Sequence, residues 1–463
     1  MHYDPGVIRS LLLAVSLAVS LAVAGARGTP PNIVLIVGDD LTYHDLGVFG
    51  NSDVKTPHLD RLAGEGMRLT HLFTPAPMCA PTRMSLYTGL YPVRNGGHPN
   101  HSRVKDGVRS LPHYLQPLGY RVALLGKRHI QPPESFPFEF LGGRQHDGGN
   151  GKDIDVDAVG KFLGGVDGPF CLVLASNQPH TPWNRGDASA YDPAALALPP
   201  YLVDTPETRA GLARYYAEIT YLDDQVGRTL ELLEASGHAD DTLVMFVTEQ
   251  GSNFPHCKWT LYDTGVRASG IVRLPGTVKP GSRSDQLLSY VDVLPTLIDL
   301  AGGDPAAGDF DGVSFASILR GDDAPLHEQV FSVQTSRGIY SGPEHYGIRA
   351  ARGKRYKYIR NLTPETPFQN TVTENWPIFA AWRRAAAQGD EHAARLVHAY
   401  QHRPAEELYD LAADPFELTN IVDDPANADV LAELRAATEA WMHQQGDEGQ
   451  ATEMNALNRQ PGR

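Results

Sequence analysis

Four short polar clusters each follow directly on an apolar run, and their residue types are those of group-transfer chemistry. Asn32–Val37 leads into Gly38-Asp39-Asp40, Arg121–Leu125 into Gly126-Lys127-Arg128-His129, Phe170–Ala175 into Asn177-Gln178-Pro179-His180, and Thr242–Val247 into Glu249-Gln250-Gly251. Asp39, Asp40, Glu249 and Gln250 offer hard oxygen donors, which suit calcium or magnesium rather than zinc or copper. Lys127, His129, His180 and Lys258 offer cationic donors that suit a multiply oxygenated anion. A divalent cation facing a basic half-shell is an arrangement for transferring phosphoryl or sulfuryl groups. Taken singly, each cluster also reads as a wet strand end, Asp39-Asp40 as a turn cap, and a lone histidine or lysine as a hydrogen-bonded surface residue.

The clusters can meet only if the apolar runs are strands of one sheet. From Pro31 to about Gly303 such runs alternate with amphipathic helical patterns, the rhythm of a mostly parallel α/β sheet. In open sheets of this kind the carboxyl ends of the strands share one edge, where ligands bind. Thr56-Pro57 with Gly66 beyond marks one helix. In Thr208–Ser236, Leu212, Tyr215, Ile219, Leu222, Val226, Leu230 and Leu233 recur at three and four residues, as a core-facing helix requires. Past the Gly/Asp/Pro-rich stretch Gly302–Gly312, the runs Gln329–Val333, Gly347–Ala351 and Arg355–Arg360 precede a helical pattern at Ile378–Tyr400. The reading is a catalytic domain at 30–320 and a smaller α+β domain with an antiparallel sheet at 325–445. A polar, poorly ordered tail is expected at 446–463.

Composition bounds the class further. With 463 residues, 41% of them hydrophobic, the chain can bury more than one small core. A formal charge of −15, from 40 basic against 55 acidic side chains, argues against a nucleic-acid binder held by a broad basic face. Leu11 to Ala24 is apolar except for Ser16 and Ser20, follows Arg9, and runs into Ala24-Gly25-Ala26, the pattern of a cleaved signal peptide over residues 1–26. This run falls short of the roughly 20 residues of a spanning helix, which disfavours a stable membrane anchor. Export to a periplasmic or extracellular space is therefore expected. Cys79, Cys171 and Cys257 are the only cysteines, so at most one intrachain bridge is possible.

Between the first two clusters lies Pro77-Met78-Cys79-Ala80-Pro81-Thr82-Arg83-Met84-Ser85-Leu86-Tyr87-Thr88-Gly89. It is followed by Gly119-Tyr120-Arg121-Val122-Ala123-Leu124-Leu125-Gly126-Lys127-Arg128-His129. The two segments closely resemble the two signatures of the type I sulfatases of the alkaline phosphatase superfamily, whose maturation motif is Cys-x-Pro-Ser/Ala/Thr-Arg. The resemblance spans nearly the whole mature chain. It implies a large mixed, mostly parallel sheet sandwiched by helices, and oxidation of Cys79 to formylglycine by a maturation enzyme. One hydroxyl of the hydrated aldehyde attacks sulfur, and deprotonating the other then expels sulfate. The bland reading of Cys79 is a buried free cysteine. Pro81 is placed to open a helix whose N-terminal dipole favours an anionic centre.

The resemblance further implies that Asp39, Asp40, Cys79, Glu249 and Gln250 form the metal site, with calcium expected before magnesium. Arg83 and Lys127 would hold the oxidised residue, His129 would act as base, and His180 and Lys258 would bind sulfate and protonate the leaving oxygen. Glu249-Gln250 departs from the family, which has Asp followed by Asn or His; both side chains here are one methylene longer. Val291–Thr296 and Glu407–Leu411 look like recurring sulfatase segments but also read as a helix and a turn. Val108–Pro112, Glu134–Phe138 and Ala190–Pro193 look most similar to the heparan N-sulfatase (sulfamidase) branch. The expected substrate is a sulfated carbohydrate, with His98, His101, Trp183, Arg185 and His256 as candidate sugar contacts. A sulfamidase, a phosphodiester or phosphonate hydrolase, and a catalytically dead glycan-binding relative remain alternatives.

Overall fold

The computed structural model describes residues 30–143 and 154–460, so the expected signal peptide lies outside the described residues. Nine strands form one sheet: β1 (Asn32–Gly38), β2 (Met67–Phe73), β3 (Arg121–Gly126), β4 (Glu139–Gly142), β5 (Phe170–Ala175), β6 (Thr242–Thr248), β7 (Arg267–Arg273), β8 (Ser282–Ser284) and β9 (Leu288–Ser289). Their order is β4-β3-β5-β1-β6-β7-β2-β8, with β9 also beside β2. From β4 to β6 all neighbours are parallel; β7 is antiparallel to β6 and to β2. The four strands that end in polar clusters are thus contiguous, in the order β3-β5-β1-β6.

These strands are apolar on both faces because helices cover both. Val34, Ile36, Leu172, Leu174, Val244 and Phe246 meet Leu212, Ile219, Leu222 and Val226 of the helix Pro206–Ala235 on one side. The alternate residues Ile33, Leu35, Val173, Leu243 and Met245 meet Val293, Leu294 and Leu297 of the helix Val293–Leu300 on the other. Each such side chain contributes roughly 1.5–3 kcal/mol on burial, which fixes the strand ends as a rigid platform.

A second sheet is antiparallel, in the order β10 (Gln329–Thr335), β11 (Gly347–Gly353), β12 (Tyr356–Asn361) and β13 (Glu406–Asp410). The segment read as a turn at Glu407–Leu411 is therefore largely strand, because Leu408 is buried against Ala351, Tyr358 and Leu434. Leu434 comes from the helix Ala428–Gln445, which covers this sheet. The single helix expected at Ile378–Tyr400 is two, Pro377–Ala387 and Glu391–Gln401, broken at Gly389 where Asp390 caps the second through Ala393 N–H. The first of them packs on the helix Pro206–Ala235, where Trp382 Nε1 donates to Thr208 Oγ1 at 2.9 Å.

The expectation of a poorly ordered tail is corrected. Residues up to 460 fold back over the molecule, and fully buried Arg349 binds Asp447 Oδ1 at 3.0 Å and Glu453 Oε1 at 2.9 Å. Two carboxylates answering one buried guanidinium leave no local pattern in the sequence. Among the described residues no helix is long and apolar enough to cross a membrane.

Candidate active site

The parallel ladder carries on past the strand ends. Ser176 N–H donates to Val37 O, Asp39 N–H to Gln178 O, Lys127 N–H to Ala175 O and Glu249 N–H to Gly38 O, all at 2.8–2.9 Å. Gly126 turns β3 into the site with φ +102°, and a Cβ there would lie 2.0 Å from Ala175 O. Only glycine allows that approach. Asp40 and His129 hold left-handed backbone, φ +57° and +51°, a conformation that costs a non-glycine residue on the order of 1–3 kcal/mol and clusters at functional sites.

Cys79 is the first residue of the helix Cys79–Thr88, which starts two residues earlier than Pro81 suggested. Pro81 falls within the first turn, where a missing N–H costs no helical hydrogen bond. Cys79 Sγ therefore sits at the positive end of the helix, 3.7 Å from Asp39 Oδ1, 3.3 Å from Gln250 Nε2 and 3.7 Å from Lys258 Nζ. Burial, with Glu249 adding and Lys127 and Lys258 opposing, pushes its thiol well above the usual range. A reactive thiolate needs the reverse. All three cysteines are buried and unbridged.

Around Cys79 three carboxylates interleave with three fixed cations. Lys127 Nζ meets Asp39 Oδ2 at 2.5 Å, Lys258 Nζ meets Asp40 Oδ2 at 2.7 Å, and Arg83 Nε lies 2.6 Å from Glu249 Oε1. Arg83 also donates to Lys127 O at 3.1 Å. Against the cost of burial, Lys127, with Glu249, His180 and Arg83, holds the Asp39 carboxyl far below the ordinary carboxylate range. Burial pushes Glu249 the other way, with Asp39 adding and Arg83 opposing. His180 Nδ1 donates to Thr181 O at 2.6 Å, since a carbonyl can only accept. Its Nε2 then faces Asp40 Oδ2 at 3.5 Å.

The donor set fits a hard cation. Ligand atoms of Asp39, Asp40, Cys79 and Glu249 lie within 4.8 Å of one another, and all four residues are buried. Oε2 of Glu249 and Oε1 of Gln250 have no hydrogen-bond partner, while Oε1 of Glu249 is paired with the Arg83 guanidinium. Buried acceptors in that condition are costly, and a calcium ion would satisfy them. Gln250 turns its amide nitrogen to Asp40 Oδ1 at 2.6 Å, so rotating the amide by half a turn would deliver its oxygen to the same point.

The structure thus brings together Asp39, Asp40, Cys79, Arg83, Lys127, His180, Glu249, Gln250 and Lys258. His129 stands beside them with its Nε2 2.9 Å from His101 Nδ1, so His101 is a partner of the expected base as well as a candidate sugar contact. Three other candidates are corrected. Trp183 is core, stacked on Phe254 with centroids 4.9 Å apart and donating Nε1 to Pro179 O. His256 is stacked between Tyr201 and Tyr262 and bonds Phe416 O at 2.7 Å. His98 is buried, and burial with Arg349 nearby pushes its ring down to about 3. Arg185 is exposed, its backbone N–H held by Glu218 Oε1 at 2.8 Å. Asn100 escaped the sequence reading: its Oδ1 accepts the Ala80 N–H at 3.3 Å and so steadies the first turn of the Cys79 helix. Only its place after Gly96-Gly97, in a segment that had to turn sharply, hinted at it.

A buried cysteine at a helix start, a carboxylate cluster and a ring of basic side chains thus meet on the carboxyl edge of the sheet, an arrangement suited to group transfer to or from an oxyanion. Comparison with known proteins narrows this. The model of the Sulfatase family matches residues 31–303, and that of the N-sulphoglucosamine sulphohydrolase C-terminal region matches 254–369. An ulvan-active sulfatase of Formosa agariphila is 32% identical over 431 residues, covering 92% of this chain and 82% of its own. The human N-sulphoglucosamine sulphohydrolase is 29% identical over 479 residues, covering 93% of each. The crystal structure of a phosphonate monoester hydrolase of Agrobacterium radiobacter has the same fold, with a TM-score of 0.67 at 19% identity over 90% of this chain and 96% of the other. The chain belongs to the sulfatase family and is a sulfuric ester hydrolase.

Proposed function

We propose that the protein removes sulfate from a sulfated carbohydrate outside the cytoplasm, using Cys79 oxidised to formylglycine and a bound calcium ion. The observation that carries this reading is the placement of Cys79 at a helix start, its sulfur between the Asp39-Asp40-Glu249 carboxylates and Lys258. A buried thiol pushed upward is a poor nucleophile, whereas the hydrated aldehyde supplies two hydroxyls. Asp39, Asp40, Glu249 and Gln250 would hold the calcium, which when bound offsets charge on a sulfate oxygen. Arg83 and Lys127 orient the oxidised side chain. His129, held by His101, takes up a proton, while His180 and Lys258 supply one to the leaving oxygen. Residues 30–320 would be the catalytic unit, exported behind a signal peptide and matured by a formylglycine-generating enzyme.

Carbohydrate as the substrate is supported by the names of the two relatives, one active on ulvan and one on N-sulphoglucosamine. The match of residues 254–369 to the N-sulphoglucosamine sulphohydrolase C-terminal model supports a specific alternative, cleavage of an N–S bond. Defined oligosaccharides carrying a single O- or N-sulfate separate the two. Peptide mass spectrometry of the Cys79 segment, paired with sulfate-release assays before and after chelation, tests the whole reading. Formylglycine at position 79 and activity lost on chelation and regained with calcium are expected. Full activity with unmodified Cys79, or turnover of a phosphodiester beside inert sulfated substrates, would refute it.

A further inference from the structure

A cavity of about 410 Å³ opens beside the active site, walled by His101 and Gln460 on one side and by the loop of residues 336–344 on the other. Small-molecule sites span roughly 300–1,000 Å³. His101 belongs to both places, since its ring also meets His129. The loop is docked on the same segment: Asn100 N–H donates to Arg337 O at 3.2 Å, and Gln460 Nε2 donates to Asn100 O at 2.8 Å. At Gly338, φ +86°, a Cβ would lie 2.3 Å from Asn100 O, so the close approach requires glycine. Farther along, Thr371 Oγ1 donates to Tyr340 O and Asn375 Nδ2 to Ser341 Oγ, both at 3.0 Å.

On this anchored backbone Tyr340 stands 74% exposed. An aromatic ring left in water on a loop tied at both ends has the geometry of a stacking platform rather than of a packing residue. Arg337 Nη1 and Glu344 Oε1 lie 3.7 Å apart on the same loop, and the buried Nε of Arg337 has no hydrogen-bond partner. Because Glu344 balances the cation, the pair suits hydroxyl groups better than a second anion.

We propose that this cavity holds the glycosyl unit next to the one that carries the reacting sulfate, with Tyr340 stacked on its C–H face and Arg337 and Glu344 taking its hydroxyls. The proposal rests on the sulfated-carbohydrate reading above. The test uses Cys79→Ala protein, whose methyl group offers no thiol or hydroxyl to oxidise, with Tyr340 intact, Tyr340→Ala or Tyr340→Trp. Each is titrated by calorimetry with N-sulphoglucosamine, with a tetrasaccharide ending in that sugar and with a sulfated ulvan tetrasaccharide. Tyr340→Ala should weaken at least one tetrasaccharide roughly three- to tenfold, Tyr340→Trp should not, and monosaccharide binding should stay unchanged. Equal weakening of monosaccharide and tetrasaccharide, no change in any ligand, or tetrasaccharides that bind no tighter than the monosaccharide overturns the subsite. Sulfate release is read separately on the matured wild-type protein. A Tyr340-dependent tetrasaccharide affinity with no sulfate release supports the subsite and counts against hydrolysis.

Discussion

Replacing Gln250 by glutamate isolates what a cation does for this site. In the structure Gln250 Nε2 donates to Asp40 Oδ1 at 2.6 Å and to Cys79 Sγ at 3.3 Å. The substitution removes a hydrogen bond to a charged group, about 1.5–3 kcal/mol, and sets a carboxylate against a carboxylate. At 2.6 Å and an effective dielectric of ~20, that repulsion is about 6 kcal/mol. The new group can escape most of it by taking up a proton, which leaves a net loss of roughly 2–4 kcal/mol without calcium. For a chain of this length, ~1 kcal/mol corresponds to about 1 °C in Tm. In EDTA the variant should therefore melt roughly 2–4 °C below wild type. With calcium the same carboxylate becomes a fourth anionic ligand, so the deficit should vanish or reverse. Differential scanning calorimetry of both proteins in EDTA and in calcium reads the difference directly. An equal gap in the two buffers would show that residue 250 does not face a cation, and no gap in either would refute the electrostatic account of the cluster.

The same reasoning yields further expectations. Arg349→Met strands Asp447 and Glu453 without a counter-charge and should cost about 3–5 kcal/mol, read by urea unfolding; adding Asp447→Asn and Glu453→Gln should recover much of it. His98 and His256 are each pushed down to about 3, chiefly by burial. Their folded forms stay neutral below pH 6.5 while the unfolded chain takes up protons. Stability present above that pH should fall by about 2 kcal/mol per residue at pH 5, and His98→Leu should reduce the slope by one residue's share. Lys258→Ala should slow release from a sugar sulfate by roughly 10²–10⁴-fold, and much less from an aryl sulfate, whose leaving group needs no proton. Equal losses on both substrates would assign Lys258 to binding alone.

Much of the polar edge was legible because it depends on local patterns. Apolar runs such as Asn32–Val37 and Thr242–Val247 had to be buried strands, and the residues that follow a strand lie at its end whatever else the chain does. Once those strands are neighbours and parallel, Asp39, Lys127, His180 and Glu249 converge.

The side chains that flank this edge were decided by contacts across the fold. Trp183 and His256 have the chemistry of sugar contacts, yet Phe254 and Tyr262 turn their rings into the core. The tail after residue 446 reads as polar, yet a buried Arg349 nearly a hundred positions earlier makes its carboxylates structural. Asn100 and His101 gained roles only when Ala80 and His129 were brought to them, and Gln460 reaches Asn100 from 360 residues away. Sequence by itself determined where the reactive groups are attached, because hydrophobic period and strand ends are properties of a short stretch. Only the tertiary structure decided which polar rings meet solvent and which meet one another, because burial depends on what the rest of the chain lays across them.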